Sequence, residues 1–242
     1  MAASGRAAVP EVIWARPERA GRGPRPAFTR DEIAAAAVRI ADESGLAAVS
    51  MRRVATAVGC GTMSLYNYVP GKDDLIDLMV DLAVGEYRLP DRPSGDWRAD
   101  LLHLARQARA MMRRHPWLPG AVLSHTSLGP NALRYMEHCL AVLEDSGLDD
   151  ALKLELISML NGTVIAMASA EQAAAERAKE SGHSPEQRQA AQAGYLKSAV
   201  ATGQYPLVAR VLAGSGPVGD PDEVFARLIG RVLDAYAGPA AG

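Results

Sequence analysis

The chain has 242 residues, 48% of them hydrophobic and 22% charged, with a formal net charge of -2 and two cysteines. This length can bury a sizeable core, in one large domain or two small ones, whereas two cysteines do not make a disulfide framework. No run of about eighteen apolar residues and no apolar leader is seen in the sequence, so we expect no membrane span and a cytoplasmic location.

Residues 1–27 mix Ala, Gly, Pro and Arg without periodicity, which predicts a disordered arm. The arm is basic because its arginines outnumber its glutamates: Arg6, Arg16, Arg19, Arg22 and Arg25 stand against Glu11 and Glu18. Positive charge is therefore concentrated beside the first helices, although the whole chain is slightly acidic. Such an arm either places arginines on DNA or serves as a solubilising tail, and the sequence leaves both interpretations open.

The first and fourth predicted helices frame a compact unit at residues 28–89. Thr29 and Glu32 have the capping-box spacing before an apolar periodic segment that ends at Gly45. The fourth helix begins near Lys72 and stops before Pro90. A loop rich in Pro, Ser and Gly follows it, which indicates a change of domain.

Between them the sequence predicts a helix-turn-helix. Ser50 can cap the second helix, and Gly59 ends it where a left-handed residue is favoured. Thr62 can cap the third helix, whose Leu65 and Val69 form one apolar stripe. The remaining face carries small polar groups and two tyrosines, which suits the major groove of DNA.

From residue 96 to 238 every recognisable segment is helical, so the fold class is all-α. Predicted helices begin at Trp97, Pro130, Asp150, Pro185 and Pro221, with a short broken segment over residues 117–124. The long helices near 150–178 and 221–237 carry more apolar surface than one small layer needs to cover. They form either a four-helix bundle with a two-fold mate or a bundle closed within one monomer.

The N-terminal motifs resemble those of a known family. They are Thr29-Arg-Asp-Glu-Ile33, Ala41-Asp-Glu-Ser-Gly-Leu46, Arg52-Arg-Val-Ala-Thr-Ala-Val-Gly59, Ser64-Leu-Tyr-Asn-Tyr-Val69 and Lys72-Asp-Asp-Leu75. In this order they resemble the tetracycline-repressor (TetR) family of one-component bacterial regulators. His115-Pro-Trp117 and Gly129-Pro-Asn-Ala132 extend the resemblance into the C-terminal half. It implies a helix-turn-helix DNA-binding domain at residues 28–89 and a helical ligand-binding and dimerisation domain at 96–238.

The resemblance also implies DNA-contacting residues, carried over position by position. The side chains that approach bases are Arg52, Thr62, Met63 and Asn67, and those that contact phosphates are Ser64, Tyr66, Tyr68 and Lys72. Thr62 and Met63 are short or apolar, so they are expected to contact thymine methyl groups rather than to make bidentate hydrogen bonds.

A ligand pocket is predicted in the C-terminal domain, where thioethers can repack around differing ligands. Its candidate residues are Leu104, Met111, Trp117, His125, Leu133, Met136, Met167 and Glu171, although ordinary core packing explains each one singly. In the family's namesake a histidine, a threonine and a glutamate hold magnesium with the drug. Glu171 and Thr126 fall near two of those places, but Leu123 stands at the histidine position, so no metal or other cofactor is predicted.

Together these features predict a ligand-responsive regulator that is not an enzyme. It is expected to repress as a homodimer on a palindromic double-stranded operator and to be released by a small-molecule effector. One alternative is an all-α small-molecule-binding or metal enzyme, since Asp100 with His103, and Glu180 with His183, have metal-pair spacing. Another is a DNA-bound interaction module without a ligand.

Overall fold

A computed structural model of the protein describes residues 12–16, 28–125, 128–182, 184–214 and 219–237. These residues form α-helices and short 3-10 turns with no strand among them, which confirms the all-α prediction. The N-terminal helices are α1 (Arg30–Ser44), α2 (Met51–Val58), α3 (Thr62–Tyr66) and α4 (Lys72–Val84). The C-terminal helices are α5 (Trp97–Arg114), α6 (Leu118–Ser124), α7 (Pro130–Val142), α8 (Asp150–Ser181), α9 (Pro185–Ala201), α10 (Pro206–Gly214) and α11 (Pro221–Ala235).

Local capping explains where the N-terminal helices begin and end. Thr29 donates its backbone N–H to the Glu32 carboxylate at 2.8 Å, and its hydroxyl accepts the Glu32 N–H at 3.1 Å. Ser50 caps α2, and Gly59 ends it in the left-handed region at φ 80°. The predicted cap at Thr62 is wrong, because Gly61 is the N-cap residue of α3 and Thr62 is already helical.

The core of the N-terminal domain lies where α1 packs across α2 and α4, while α3 packs on α2. Ile33, Val54, Leu65, Leu75 and Met79 are fully buried there. Burial of each such side chain contributes about 1.5–3 kcal/mol to folding. Leu65 thus fixes the short α3 by its apolar side and leaves the other side open.

Part of the predicted disordered arm is ordered. Residues Ile13–Ala15 form a 3-10 turn, and the Ile13 side chain has no exposed surface. Arg30 donates from Nη1 to the carbonyl oxygens of Ile13 and Arg16 at 3.0 and 2.9 Å. The prediction of disorder is wrong for residues 12–16, because a buried apolar anchor and satisfied carbonyl groups offset the entropy of ordering. Arg6, Arg19, Arg22 and Arg25 lie outside the described residues.

The C-terminal domain is organised around α8, which packs against α5, α6 and α11. Asp149 caps this helix and accepts the Leu152 N–H at 2.9 Å. By length and composition α8 could also cross a membrane, since an 18-residue window within it has a mean hydropathy of 1.4, but the core helices of soluble proteins share that composition. Its buried side chains, Leu156, Ile157, Leu160 and Val164, belong instead to the core of this domain.

Helices α9 and α10 lie outside that core. They contact each other, and none of their described side chains is buried. The exposed apolar side chains include Tyr195, Leu207 and Val211, each more than half exposed. The two helices are separated at Gly203, whose φ of 74° lies in the left-handed region.

Candidate nucleic-acid interface and effector domain

The open face of α3 is built on a buried floor. Leu65 and Val69 have no exposed surface, whereas Met63 is 79% exposed and Tyr66 is 43% exposed. Of the other predicted DNA-contacting residues, Arg52, Ser64, Asn67 and Lys72 are exposed, while Thr62 and Tyr68 are half-buried. All eight predicted side chains are therefore at least partly exposed, and their contacts with DNA stay a prediction.

Arg52 stands beside this surface on α2. It lines a shallow cleft that also includes Arg53, Thr56 and Glu43 of α1. Arg53 is held to α1, since its Nη2 donates to the Ser44 hydroxyl at 3.0 Å. Within the described part of the chain the Arg52 guanidinium makes no hydrogen bond or ion pair, so its charge is available to a base edge or a phosphate.

Asn67 is less free than its exposure suggests. Its side-chain Nδ2 donates to the Met63 carbonyl oxygen at 3.4 Å, four residues back. This long hydrogen bond is weak, so exchanging it for one to a base costs little. Lys72 begins α4 next to Gly71, where two acidic residues of the first turn, Asp73 and Asp74, follow it.

The joint between the two domains contains a buried carboxylate that no motif or spacing in the sequence singled out. Asp81 of α4 is 6% exposed. Its oxygens accept the backbone N–H groups of Asn131 and Ala132 and the Asn131 amide, all at 3.0–3.2 Å. Asp81 therefore caps the N-terminus of α7 from another helix, which ties the two domains together.

A second polar connection joins the same domains at His115, the first residue of the His-Pro-Trp motif. Its Nδ1 lies 2.8 Å from Asp42 of α1, and its Nε2 lies 2.9 Å from Glu86. Trp117 donates its Nε1 hydrogen to the same Asp42 oxygen at 2.7 Å. The His-Pro-Trp motif was visible in the sequence, but the two carboxylates lie far from it along the chain.

The electrostatics of this connection favour a protonated His115 and an ionised Glu86. Burial alone lowers the pKa of His115, but hydrogen bonds to Asp42 and Glu86 and the attraction of both carboxylates raise it above its ordinary value. For Glu86 burial raises the pKa, yet hydrogen bonds from Arg114 and His115 bring it below its ordinary value. The bridge between α1 and the C-terminal domain is therefore strengthened when His115 is protonated.

The described predicted pocket residues lie in different surroundings. Leu104, Met111 and Trp117 are buried, and Met136 and Met167 are half-buried among core side chains. Leu133 is 54% exposed on α7, and its role in a pocket stays a prediction. His125 instead lies 3.5 Å from Asp77 of α4 and adds to the contacts between the domains.

The carboxylate of Glu171, another predicted pocket residue, is paired with two arginines, and its role in a pocket stays a prediction. Arg109 donates to it from Nε at 2.9 Å, and Arg113 does so at 3.1 Å. Arg109 also pairs with Asp222 at 2.8 Å and lies 4.5 Å from the centre of the Phe225 ring. This cluster holds α5, α8 and α11 together. Thr126, the proposed neighbour of Glu171 in a metal site, lies outside the described residues.

A small neutral polar cluster lies where the chain after α4 meets α7 and α8. The rings of Tyr87 and Tyr135 stack with centroids 4.5 Å apart, and the Tyr135 hydroxyl donates to Asn161 at 2.8 Å. Burial raises the pKa of Tyr135 well above its ordinary value and that of Cys139 to about 11. Both groups therefore stay protonated near neutral pH. Over the described ranges no group of three or more His, Cys, Asp or Glu side chains could hold a metal ion.

The fold and the open face of α3 define a helix-turn-helix DNA-binding protein with a helical second domain. A family model for bacterial regulatory proteins of the tetR family matches residues 33–79. A model for the tetracyclin repressor-like C-terminal domain matches residues 89–235. The chain belongs to the tetracycline-repressor (TetR) family, which confirms the resemblance seen in the sequence.

Similar proteins include transcriptional regulators of other bacteria and a solved structure. The HTH-type transcriptional repressor DrrR1 of Streptomyces coeruleorubidus is 39% identical over 225 residues, which cover 93% of this chain and 83% of that protein. An HTH-type transcriptional regulator of Saccharopolyspora erythraea is 35% identical over 162 residues, 67% of this chain and 68% of that one. A crystal structure of the Streptomyces coelicolor TetR family protein ActR in complex with actinorhodin matches with a TM-score of 0.73 and 31% identity. That match covers 89% of this chain and all of ActR.

These matches and the exposed α3 surface identify the protein as a DNA-binding transcriptional regulator. Its family consists of regulators rather than enzymes, which disfavours the alternative of an all-α enzyme.

Proposed function

We propose that the protein is a repressor that binds a palindromic operator as a homodimer and leaves it when a small molecule occupies the C-terminal domain. The observation that carries the proposal is α3, a short helix whose apolar side is fully buried and whose polar and aromatic side is exposed. Such a helix can enter the major groove without losing its own packing. The similarity to the repressor DrrR1 supports repression as the outcome of binding.

On the operator each side chain of this surface has one of two roles. Arg52, Thr62, Met63 and Asn67 approach base edges, which gives sequence preference. The phosphates are contacted by Ser64, Tyr66, Tyr68 and Lys72, which positions the domain and gives most of the affinity.

Dimerisation uses the surface of α8 and α11 that one chain leaves open. Leu154 and Met159 of α8 are about half exposed, at 50% and 51%, and Leu228 of α11 is 36% exposed. The same helices pack on each other within the chain. A two-fold mate can bury these residues in a four-helix bundle. A bundle closed within one monomer would leave them exposed to water.

The C-terminal domain is the site of effector binding. ActR, which is similar over its whole length, has been crystallised in complex with actinorhodin. In the present protein Asp81 and His115 join this domain to the DNA-binding domain through hydrogen bonds, so a ligand that shifts the C-terminal helices changes the position of α3. Binding to operator DNA places the protein in the cytoplasm, and the chemistry of induction requires no catalytic group.

Binding to DNA from the protein's own promoter region tests the proposal. Fluorescence anisotropy should show specific binding about 10³- to 10⁷-fold tighter than to an unrelated fragment of equal length, and this preference should depend on an intact palindrome. The affinity for both fragments should fall with rising salt, because phosphate contacts release counterions. Equal affinity for the two fragments would refute repression of its own promoter by specific binding, and footprinting across neighbouring genes would then test other operators.

A further inference from the structure

A cleft of about 710 Å³ lies between the chain that follows α4 and one face of α5. It is lined by Glu86, Arg88, His103, Gln107, Met111 and Arg114. The last four recur at helical spacing on α5, so they share one side of that helix. The volume falls within the range of about 300–1,000 Å³ that small-molecule sites occupy.

The wall opposite α5 is held in a fixed position. The Gln107 side chain accepts the Arg88 backbone N–H at 2.8 Å and donates to the Arg88 carbonyl oxygen at 3.2 Å. This two-point contact fixes the backbone at Arg88 while its guanidinium remains available. No hydrogen bond or ion pair engages that guanidinium within the described ranges.

The charge of the lining favours an anion. Two arginines, Arg88 and Arg114, share the cleft with one carboxylate, Glu86, which is already bonded to Arg114 and, at 2.9 Å, to His115. Arginine binds carboxylates with two parallel hydrogen bonds, which gives both energy and orientation. Met111, which is buried, adds an apolar surface to the cleft. A matching ligand therefore combines an anionic group with an apolar body.

The same cleft is connected to the DNA-binding domain through Glu86. The Glu86 pair with Arg114 is partly exposed, with side-chain exposures of 37% and 55%, so it is a weak ion pair that a competing anion can displace. On its other oxygen Glu86 holds His115, which in turn holds Asp42 of α1. Changing the position of Glu86 thus changes the support of α1, against which α2 packs.

We propose that this cleft is the effector site, that it binds an organic molecule bearing a carboxylate, and that the carboxylate displaces Glu86 from Arg114 and loosens the bridge to α1. The proposal rests on the proposed function, because release from DNA is its readout. It adds the chemical class of the effector, the residues that recognise it and the route by which binding reaches α3.

The test uses two probes of one shape and different charge: anthraquinone-2-carboxylate and its neutral carboxamide. Isothermal titration calorimetry with the full-length protein should give at least about tenfold tighter binding of the carboxylate, the size expected for one charge-assisted contact. The preference should disappear in an Arg88→Ala, Arg114→Ala double variant. It should persist in Arg92→Ala, which removes an exposed arginine of the interdomain loop outside the cleft lining.

A second measurement separates this site from a merely electrostatic surface. In Glu86→Gln the carboxylate probe should bind more tightly, because the competing charge is gone, while its effect on operator affinity should shrink. Equal affinity of the two probes, binding of neither probe up to its solubility limit, or a preference that survives the double substitution would overturn the proposal. Operator binding without any probe tests the repressor function separately, so a failure of the cleft and a failure of the function are distinguishable.

Discussion

Arg52 is the residue whose substitution best separates base reading from general attraction to DNA. It is exposed on α2 beside the α3 surface, and its guanidinium has no partner in the described part of the chain. If it contacts a base, Arg52→Ala should weaken operator binding by about 1–3 kcal/mol and relax the preference at one base pair, with little effect on non-specific DNA.

Lys72 supplies the matched comparison, since a phosphate contact carries no sequence information. Lys72→Ala should weaken binding to all sequences alike and lower the slope of log affinity against log salt by about 0.9. Anisotropy titrations on the operator and on single-base variants at several salt concentrations measure both effects. An Arg52→Ala protein with the affinity and base preference of the wild type would show that Arg52 does not contact bases.

His115 should make the stability of the protein depend on pH. Its pKa is raised in the folded state by Asp42 and Glu86, after burial has lowered it. The stabilisation is therefore fully present below the unfolded pKa of about 6.5 and is lost as the pH rises from there through the raised folded pKa. Chemical denaturation between weakly acid and weakly alkaline pH should show a free energy of unfolding that falls over this window.

The His115→Gln variant should lose that pH dependence and also some stability at acid pH. The stability loss is about 1–3 kcal/mol, the cost of leaving buried polar groups imperfectly paired. His103→Gln is the control, because His103 is exposed on α5 and does not join the domains. A slope that persists unchanged in His115→Gln would assign the pH dependence to another group.

At the scale of elements, the short N-terminal segment should contribute to stability as a helix would. Ile13 is fully buried, so Ile13→Ala should cost about 2–5 kcal/mol through lost burial and the cavity left behind. Val12 is its neighbour and is 57% exposed, so Val12→Ala should change stability by less than about 0.5 kcal/mol. Urea denaturation of the two variants measures the difference, and equal stabilities would show that the segment does not hold the domain together.

This segment also changes how a truncation of the arm should be designed. Deleting residues 1–27 would remove Ile13 together with the arginines, so lost stability and lost DNA contacts would be confused. Deleting residues 1–11 keeps the anchor. A lower salt slope in that shorter deletion would assign a phosphate contact to residues 1–11, whereas an unchanged slope would favour a tail.

The helices could be predicted from sequence because their signals are local. A cap such as Thr29 with Glu32, or a left-handed glycine such as Gly59, acts within one helical turn and can be recognised from a few consecutive residues. The predicted N-cap of α3, Thr62, is one residue too late. The actual N-cap, Gly61, has no side chain that could make a capping hydrogen bond, so its residue type does not indicate this role. The family resemblance placed the DNA-contacting face, which the structure then shows as mostly exposed.

The domain joint could not be predicted because its partners are distant in sequence. Asp81 caps α7 through Asn131, and His115 bonds to Asp42, so each contact depends on how whole helices cross. The same limit explains why the exposure of Leu133 and the ion pairs of Glu171 were not predicted. Periodicity assigns a residue to one face of a helix, but it does not say whether water, a salt bridge or a cavity lies against that face.

At the scale of the whole molecule, binding to a palindrome requires two α3 helices about one turn of DNA apart, roughly 34–36 Å. One chain provides one α3, so the second must come from a copy of this chain. The exposed apolar residues of α8 and α11 are the surface proposed to hold that copy. Substituting these apolar residues should therefore affect DNA binding without changing the DNA-contacting surface of α3.

Leu154→Glu with Leu228→Glu should convert the dimer to a monomer, because two charges would be buried on each side of the two-fold bundle. Analytical ultracentrifugation should show half the wild-type mass, and circular dichroism should show retained helix content. The affinity for the full palindrome should then fall to that for a single half-site, since two linked contacts become one. Ala141→Glu, on an exposed position of α7, is the control and should remain dimeric. A double variant that stays dimeric, or a monomer that keeps full affinity for the palindrome, would place the dimer interface elsewhere, and the exposed α9 and α10 would be the next surface to substitute.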